Sequence, residues 1–250
     1  MTTDPILDVR SLCKSFGSLR ASDDLSFTVE RGEIHALIGP NGAGKTTAIG
    51  QLSGEIQSDS GHVVFDGRDI STFKTFRRAR LGLQRSYQVT SLFPDFSAID
   101  NLSIALQAHE PHNFRFWKPA RKDAMLRDRA RDALVRSGLG DKLETPAKNL
   151  AHGEQRQLEL SMALATEPTM LLLDEPMAGM GRNEGQQVME LIRGLRGEVS
   201  ILLVEHDMDI VFALADTVTV LVKGSVMASG TPEEIRANPD VRRAYLGDED

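Results

Sequence analysis

The sequence predicts an α/β fold built on a largely parallel sheet and interrupted by a helical insertion. Three observations predict it. Apolar runs at Met170–Leu173, Ile201–Val204 and Val218–Val222 are of the buried-strand type, and the helical stretches Arg182–Leu195 and Met208–Ala215 separate them. A fourth apolar run, Ile34–Ile38, leads into a glycine-rich loop and a helix start at Thr47–Leu52. Between Ser97 and Thr166 the chain shows no β run and reads as helices joined by basic linkers.

The elements follow in order. Strands are expected at Ile6–Arg10, Leu25–Glu30, Ile34–Ile38 and His62–Asp66, punctuated by Arg31-Gly32 and Asp66-Gly67. Ser97–Gln107 is a helix with Ser97 as N-cap and Ile99, Leu102 and Leu106 at helical spacing. Asp123–Ser137 is a second, with Leu126, Ala130, Ala133 and Leu134 inward and Gly138 as its stop. Thr231-Pro232-Glu233-Glu234 opens the last helix, with threonine capping, proline in the first turn and Glu234 reaching back. The expected division is an α/β core of residues 1–87 and 167–250, with a helical subdomain of residues 88–166.

Composition narrows the function. A chain of 250 residues, 40% apolar, suffices for a sizeable core. Its 29 basic and 36 acidic residues give a net charge of −7, and only 5% are aromatic, which argues against a nucleic-acid partner. Cys13 is the single cysteine, so no internal disulfide forms and a reducing compartment is expected. The N-terminal residues carry Asp4, Pro5 and Asp8 and do not read as a secretory signal. The most apolar stretch, Ile201–Val222, is broken by Glu205, His206, Asp207, Asp209 and Asp216, so the chain is not expected to cross a membrane by itself.

The segment Gly39-Pro40-Asn41-Gly42-Ala43-Gly44-Lys45-Thr46 matches the phosphate-binding pattern G-x-x-x-x-G-K-[ST] in full, between a strand and a helix as that pattern requires. Glycines let successive backbone N–H groups turn toward phosphate oxygens, and the helix N-terminus adds a favourable dipole. Lys45 would neutralise β- and γ-phosphates, and the Thr46 hydroxyl would ligate Mg²⁺. Asp174-Glu175 closes the run Met170–Leu173, at the strand tip where α/β sheets bind ligands; a solvated turn is the plainer alternative. On the ligand reading, Asp174 supports the metal and Glu175 orients or deprotonates the attacking water.

With these motifs in hand, the sequence resembles the ATP-binding cassette family over essentially its whole length. Leu150-Ala151-His152-Gly153-Glu154-Gln155 stands where that family carries its signature, and Gln88, in Ser86-Tyr87-Gln88, where its Q-loop glutamine lies. His206 follows the next apolar strand like the family's switch histidine, and Phe16, in Lys14-Ser15-Phe16-Gly17, corresponds to the aromatic that stacks on adenine. Alone, a histidine like His206 is more often a satisfied turn residue, and an aromatic like Phe16 more often core. The resemblance implies a P-loop ATPase core with an N-terminal antiparallel β subdomain and an inserted helical one. Two cassettes would face head to tail, each ATP lying between one chain's phosphate loop and the other's signature helix, which begins near Gly153 and runs Glu154–Leu164. Nucleotide contacts are expected at Phe16, at Gly39 through Thr47, and at Ala151, Gly153 and Glu154. Metal contacts are expected at Thr46, Gln88 and Asp174, and catalytic roles at Lys45, Gln88, Glu175 and His206. Two departures are visible: Ala151 replaces the usual signature serine, and Gly181, in Ala178-Gly179-Met180-Gly181, stands where aspartate is commonest.

Within the family the sequence most resembles the cassettes of branched-chain amino-acid uptake systems. Leu150–Arg156, Glu175–Met180, Val204–Met208, Gly230–Ile235 and Ala244–Gly247 carry that likeness. It implies ATP and Mg²⁺ as cofactors and a second cassette, in a homo- or heterodimer, as partner. It further implies two membrane permeases, an indirect periplasmic solute-binding protein, and a peripheral place on the cytoplasmic face of the inner membrane. Cassettes for urea or short amides, aromatic acids and lipopolysaccharide export are the neighbouring alternatives. The basic stretch Arg115–Arg136 reads either as a contact with lipid headgroups or permease helices, or as a solvated face balanced by Asp123, Asp128 and Asp132. Trp117 within it is a packing plug or an interface anchor. His109-Glu110-Pro111-His112 is not a zinc motif, because its spacing is wrong and proline interrupts the helix.

Overall fold

The computed structural model describes residues 4–86, 92–109 and 123–246. The described elements, in chain order, begin with β1 (Leu7–Phe16), β2 (Leu19–Val29), β3 (Ile34–Ile38), α1 (Lys45–Ser53), β4 (Ser60–Phe65), β5 (Arg68–Asp69), α2 (Thr75–Arg80) and β6 (Leu83–Ser86). Next come α3 (Ala98–His109), α4 (Ala124–Arg136), α5 (His152–Leu164), β7 (Met170–Asp174) and α6 (Arg182–Gly194). The chain continues through β8 (Ser200–Val204), α7 (Met208–Leu214), β9 (Thr217–Val222), β10 (Ser225–Gly230), α8 (Pro232–Ala237) and α9 (Pro239–Leu246). Among the described residues no helix is long and apolar enough to cross a membrane.

Two compact units emerge. The first comprises Met1–Arg85, Thr169–Glu175 and Ile192–Asp250; the second comprises Ser86–Pro168 and Pro176–Leu191. The helical unit thus takes in residues 176–191, a stretch outside the expected 88–166 span. Side-chain packing accounts for it: Arg156 Nε on α5 donates to the Pro176 carbonyl at 3.2 Å, and Gln157 meets Gln187 at 3.5 Å.

The first unit holds two sheets. β2-β1-β4-β5 form an antiparallel sheet, and β10-β9-β3-β8-β7-β6 form a second. In the latter, β3 is parallel to both β8 and β9, and β7 is parallel to β8, while β10 returns antiparallel on β9. β3, β7 and β8 are buried at every position, which is why they read as unbroken apolar runs rather than alternating ones. Each Leu or Ile so buried contributes about 1.5–3 kcal/mol relative to exposure. One core cluster joins Leu37, Leu52, Leu172 and Leu202 with Val29, Val63 and Phe65. A second, on the other side of β9, joins Ile38, Val211, Val220, Ile235 and Val241. Cys13 lies half-buried in β1 as a free thiol.

In the second unit α3, α4 and α5 share a core of Ile99, Leu102, Leu126, Leu134, Leu139 and Leu158. Ser97 caps α3 as expected, its hydroxyl accepting from the Asp100 N–H at 3.3 Å. Asp123 is the cap of α4 rather than its first residue, accepting from the Leu126 N–H at 3.2 Å. Asn101, fully buried, ties the preceding loop down: its amide bonds the Phe93 N–H and the carbonyls of Phe93, Phe96 and Ser97. Three of the four arginines in the described part of the basic stretch are ion-paired, Arg129 with Glu167. Arg127 pairs with Asp100 and Glu144, and Arg131 with Asp128. Arg115, Trp117 and Glu110–His112 lie outside the described residues.

Candidate functional site

The parallel strands β3, β8 and β7 are neighbours, so the residues that follow their C-terminal ends collect along one edge of the sheet. Beyond β3, the loop Gly39–Gly44 turns into α1, which starts at Lys45, two residues earlier than the sequence suggested. Gly42 and Gly44 take left-handed conformations, φ +80° and +103°, and a Cβ on Gly44 would stand 2.3 Å from the Ala21 carbonyl oxygen. Glycine is therefore demanded there twice, by dihedral and by close approach. Gly39 is likewise pressed against the Leu221 carbonyl, and the Gly224 N–H bonds the Ala43 carbonyl at 2.9 Å, pinning the loop to the turn after β9. α1 opens with no side-chain cap, so its first N–H groups face outward from the loop as donors for an anion.

Lys45 is largely buried, and its ammonium donates to the carbonyls of Gly39 (2.5 Å) and Pro40 (3.2 Å). Burial lowers its pKa, while Glu175 and then Asp174 push it back up. These two carboxylates therefore lie within electrostatic reach of the ammonium. Thr46 is exposed at the helix start and Thr47 half-buried beside it.

Asp174 is the last residue of β7 and only 1% exposed. Its Oδ2 accepts from Arg85 Nη2 at 3.1 Å. Glu175 follows with φ +46°, a left-handed conformation that non-glycine residues adopt rarely, and its N–H is fixed by the Val204 carbonyl at 2.9 Å. His206, two residues past Val204, places Nδ1 3.7 Å from Glu175 Oε1 and 3.9 Å from the buried Glu205. Acid and imidazole are thus one small adjustment from a hydrogen bond. Asp207 caps α7 through the N–H of Asp209 at 2.9 Å and fixes the chain beyond the histidine.

Phe16 ends β1 beside Gly17 in the turn to β2, and half of its surface is exposed. Lys14 Nζ lies 5.5 Å from its ring centroid. The same hairpin sets the Ala21 carbonyl against Gly44, so one ribbon supplies both a loop contact and an aromatic platform. Gln88 lies outside the described residues.

The signature residues belong to the second unit. α5 begins at His152 with Ala151 as its N-cap, two residues before the expected start at Glu154. Glu154 Oε2 accepts from the Ala151 N–H at 2.9 Å, while the alanine methyl returns no bond. The first-turn N–H groups of α5 are left as outward donors, the geometry expected of a phosphate contact. Gly153 is buried, and a Cβ there would meet Glu184 Cβ at 2.7 Å, so its size also answers to the approach of α6. The Gly181 N–H is 3.4 Å from Glu184 Oε2.

Among the described residues no cluster of three or more His, Cys, Asp or Glu side chains could hold a metal. The Thr46 hydroxyl and the Asp174 carboxylate are oxygen donors of the kind that could hold Mg²⁺ together with substrate phosphates. Sequence reasoning missed Arg85, whose partners Glu55 and Asp174 lie far from it in the chain. A separate groove of about 490 Å³, lined in part by Glu33, His35, Thr217 and Ser229, is structural. Burial pushes the Glu33 carboxyl up, but His35, the Glu30 N–H and Thr217 lower it overall, and His35 also bonds Thr219 at 2.8 Å.

The chain has counterparts among known proteins over nearly its full length. The sequence profile described as ABC transporter matches residues 22–178, and that described as Branched-chain amino acid ATP-binding cassette transporter matches residues 225–250. The chain is 39% identical to the high-affinity branched-chain amino acid transport ATP-binding protein BraF of Pseudomonas aeruginosa, over 98% of each chain. It is 38% identical to LivG of Escherichia coli, a protein of the same description, over 98% of this chain and 99% of LivG. A crystal structure of the ADP conformation of an ATP-binding cassette of an ABC transporter superposes with a TM-score of 0.86 at 26% identity, covering 98% of this chain and all of the other. A phosphate loop after β3, an acidic pair ending β7 and a histidine after β8, together with these likenesses over nearly full length, place the chain in the ABC transporter family, as one of the ATP-binding cassettes that hydrolyse ATP to power transport.

Proposed function

We propose that this chain is an ATP-hydrolysing subunit of an importer of branched-chain amino acids, seated peripherally on the cytoplasmic face of the inner membrane. It pairs there with a second cassette beneath two permeases, and a solute-binding protein delivers the amino acid to them. The described functions of BraF and LivG support the substrate class.

The chemistry rests on one observation: Glu175 is held in a strained turn beside His206 and within the field of Lys45. ATP binds with its adenine on Phe16 and its phosphates against the N–H groups of Gly39 through Thr47. Lys45 neutralises the β- and γ-oxygens. The Thr46 hydroxyl and Asp174, with Gln88, would hold Mg²⁺, which would supply positive charge against the phosphate oxygens. Glu175 accepts the proton of the water that attacks the γ-phosphorus, and His206 steadies the γ-phosphate. Ala151, Gly153 and Glu154 of the partner cassette close the site from the other side through the N-terminus of α5.

The test is Glu175→Gln in the assembled transporter, reconstituted in proteoliposomes. ATP binding persists, while hydrolysis and uptake of leucine, isoleucine and valine fall by roughly 10²–10⁴. Hydrolysis at the parental rate removes the base assignment, and parental vesicles that take up none of the three amino acids remove the substrate class.

A further inference from the structure

Arg85 sits on the short edge strand β6 and joins elements that are distant in sequence. Its Nη1 donates to Glu55 Oε2 at 2.6 Å and its Nη2 to Asp174 Oδ2 at 3.1 Å. Glu55 directly follows Gly54, the C-cap of α1, at the far end of the helix whose first turn completes the phosphate loop. β6 is set against the start of β7 by the N–H groups of Thr169 and Met170, both donating to the Gly82 carbonyl, at 2.9 and 3.0 Å. Gly82 is fixed in its turn by φ +94° and by Thr169, whose hydroxyl oxygen would stand 2.6 Å from a Cβ. The Arg85 side chain is 10% exposed and that of Asp174 1%, so this is a nearly buried ionic contact.

A buried ion pair contributes little net stability, because desolvating both charges offsets most of the attraction. What a guanidinium adds is direction. Its rigid planar fork holds the two carboxylates, one on each terminal nitrogen, in a fixed relation to one another, which a freely rotating ammonium does not do. Removing a partner that orients a metal ligand typically costs about 10–100-fold in metal affinity or activity.

We propose that Arg85 is a positioning residue that holds the Asp174 carboxylate in the orientation needed to receive Mg²⁺ and, through Glu55, ties that orientation to α1. The proposal rests on Asp174 being the metal-supporting carboxylate of the function proposed above. Arg85 touches neither nucleotide nor metal; it acts through Asp174. Its sequence context, Leu83-Gln84-Arg85-Ser86, carries no motif that would have flagged it.

The test measures binding of a fluorescent ATP analogue to the full chain, once in excess EDTA and once with Mg²⁺ titrated in. In Arg85→Gln, binding in EDTA stays at the parental level, while the Mg²⁺ concentration for half-maximal effect rises about ten-fold or more. Arg85→Lys keeps the charge without the fork and falls between parent and Arg85→Gln. Glu55→Gln, which releases one half of the clamp, raises the Mg²⁺ midpoint in the same direction by less. Equal losses with and without Mg²⁺ would mark Arg85 as merely structural, and an unchanged or lowered midpoint would mark it as a competing cation; either overturns the proposal. If Arg85→Gln fails to fold, Arg85→Lys and Glu55→Gln are read against the same criteria. Asp174→Asn separates the two levels of the argument. It should abolish the Mg²⁺ dependence, and if it does not, the metal assignment falls and the role of Arg85 with it.

Discussion

Replacing Ala151 with serine adds one hydroxyl at the start of α5, and the chain contains its own template for the result. At α8, Thr231 and Glu234 form a complete capping box: Glu234 Oε2 accepts from the Thr231 N–H at 2.8 Å, and Thr231 Oγ1 accepts from the Glu234 N–H at 3.3 Å. At α5 the first of these bonds exists, between Glu154 Oε2 and the Ala151 N–H at 2.9 Å, and the second cannot, because a methyl group accepts nothing. The two N-caps have nearly the same backbone: φ −64° and ψ 158° at Thr231, φ −61° and ψ 159° at Ala151. A serine hydroxyl at 151 therefore reaches the Glu154 N–H without any backbone movement. Serine is worth about 1 kcal/mol over alanine at an N-cap. For a chain of this size that corresponds to a rise of roughly 2–4 °C in melting temperature. Thermal and urea unfolding of Ala151→Ser beside the parent measure it, with Ala151→Val as a control that adds bulk and no acceptor. A serine variant that melts no higher than the parent refutes the half-box reading of this helix start.

Two further expectations follow from the first unit. Gly44→Ala should abolish binding of an ATP analogue and cost clearly more stability than Gly42→Ala, because its Cβ would also stand 2.3 Å from the Ala21 carbonyl oxygen; Gly42→Ala meets nothing within 4 Å and should cost only about 1–2 kcal/mol for its left-handed φ, and equal losses in melting assays would contradict this. The Ser71 hydroxyl, then the Ser71 N–H, then His62 pull the Asp69 carboxyl down to about 2 against a modest opposing effect of burial. Because the folded pKa is depressed, the stability it lends is present above its ordinary 3.8 and fades as the pH falls from there through about 2. In Ser71→Ala the carboxyl should titrate closer to 3.8, as followed by NMR of the carboxyl carbon, and an unmoved titration would rule out the serine as the cause.

What the sequence makes legible is what is enforced locally. The phosphate loop, the caps at Ser97 and Thr231, and the buried strands β3, β7 and β8 each carry their physics within a few consecutive residues. β1 and β2 extend well beyond the expected Ile6–Arg10 and Leu25–Glu30 because bulges let the ladder continue where the apolar alternation stops; Ser11 and Asp24, at φ +46° and +52°, are the irregular points. β10, rich in small residues and only half-buried, offers no apolar signature at all. Arginines are the hardest to read. Nothing in the run Arg77-Arg78-Ala79-Arg80 singles out Arg78, yet it alone is buried, and it donates to the carbonyls of Gln51, Leu52, Ser71 and Phe73 around the end of α1. Burial pushes its pKa down to about 10. Arg85 is hidden for the same reason: its partners, Glu55 and Asp174, come from elsewhere in the chain.

The left-handed backbone at Glu175 filters substitution there twice. The role proposed for Glu175 calls for a carboxylate to take a proton from water, whereas the dihedral favours glycine, asparagine and aspartate and costs other residues about 1–2 kcal/mol. Aspartate alone passes both filters, so a search guided by backbone ease would arrive at it. The chain instead carries the residue one methylene longer and bears the conformational cost. On the proposed role, reach rather than comfort is the requirement at this position, and a library at 175 selected first for folding and then for turnover should rank the two acids in opposite orders.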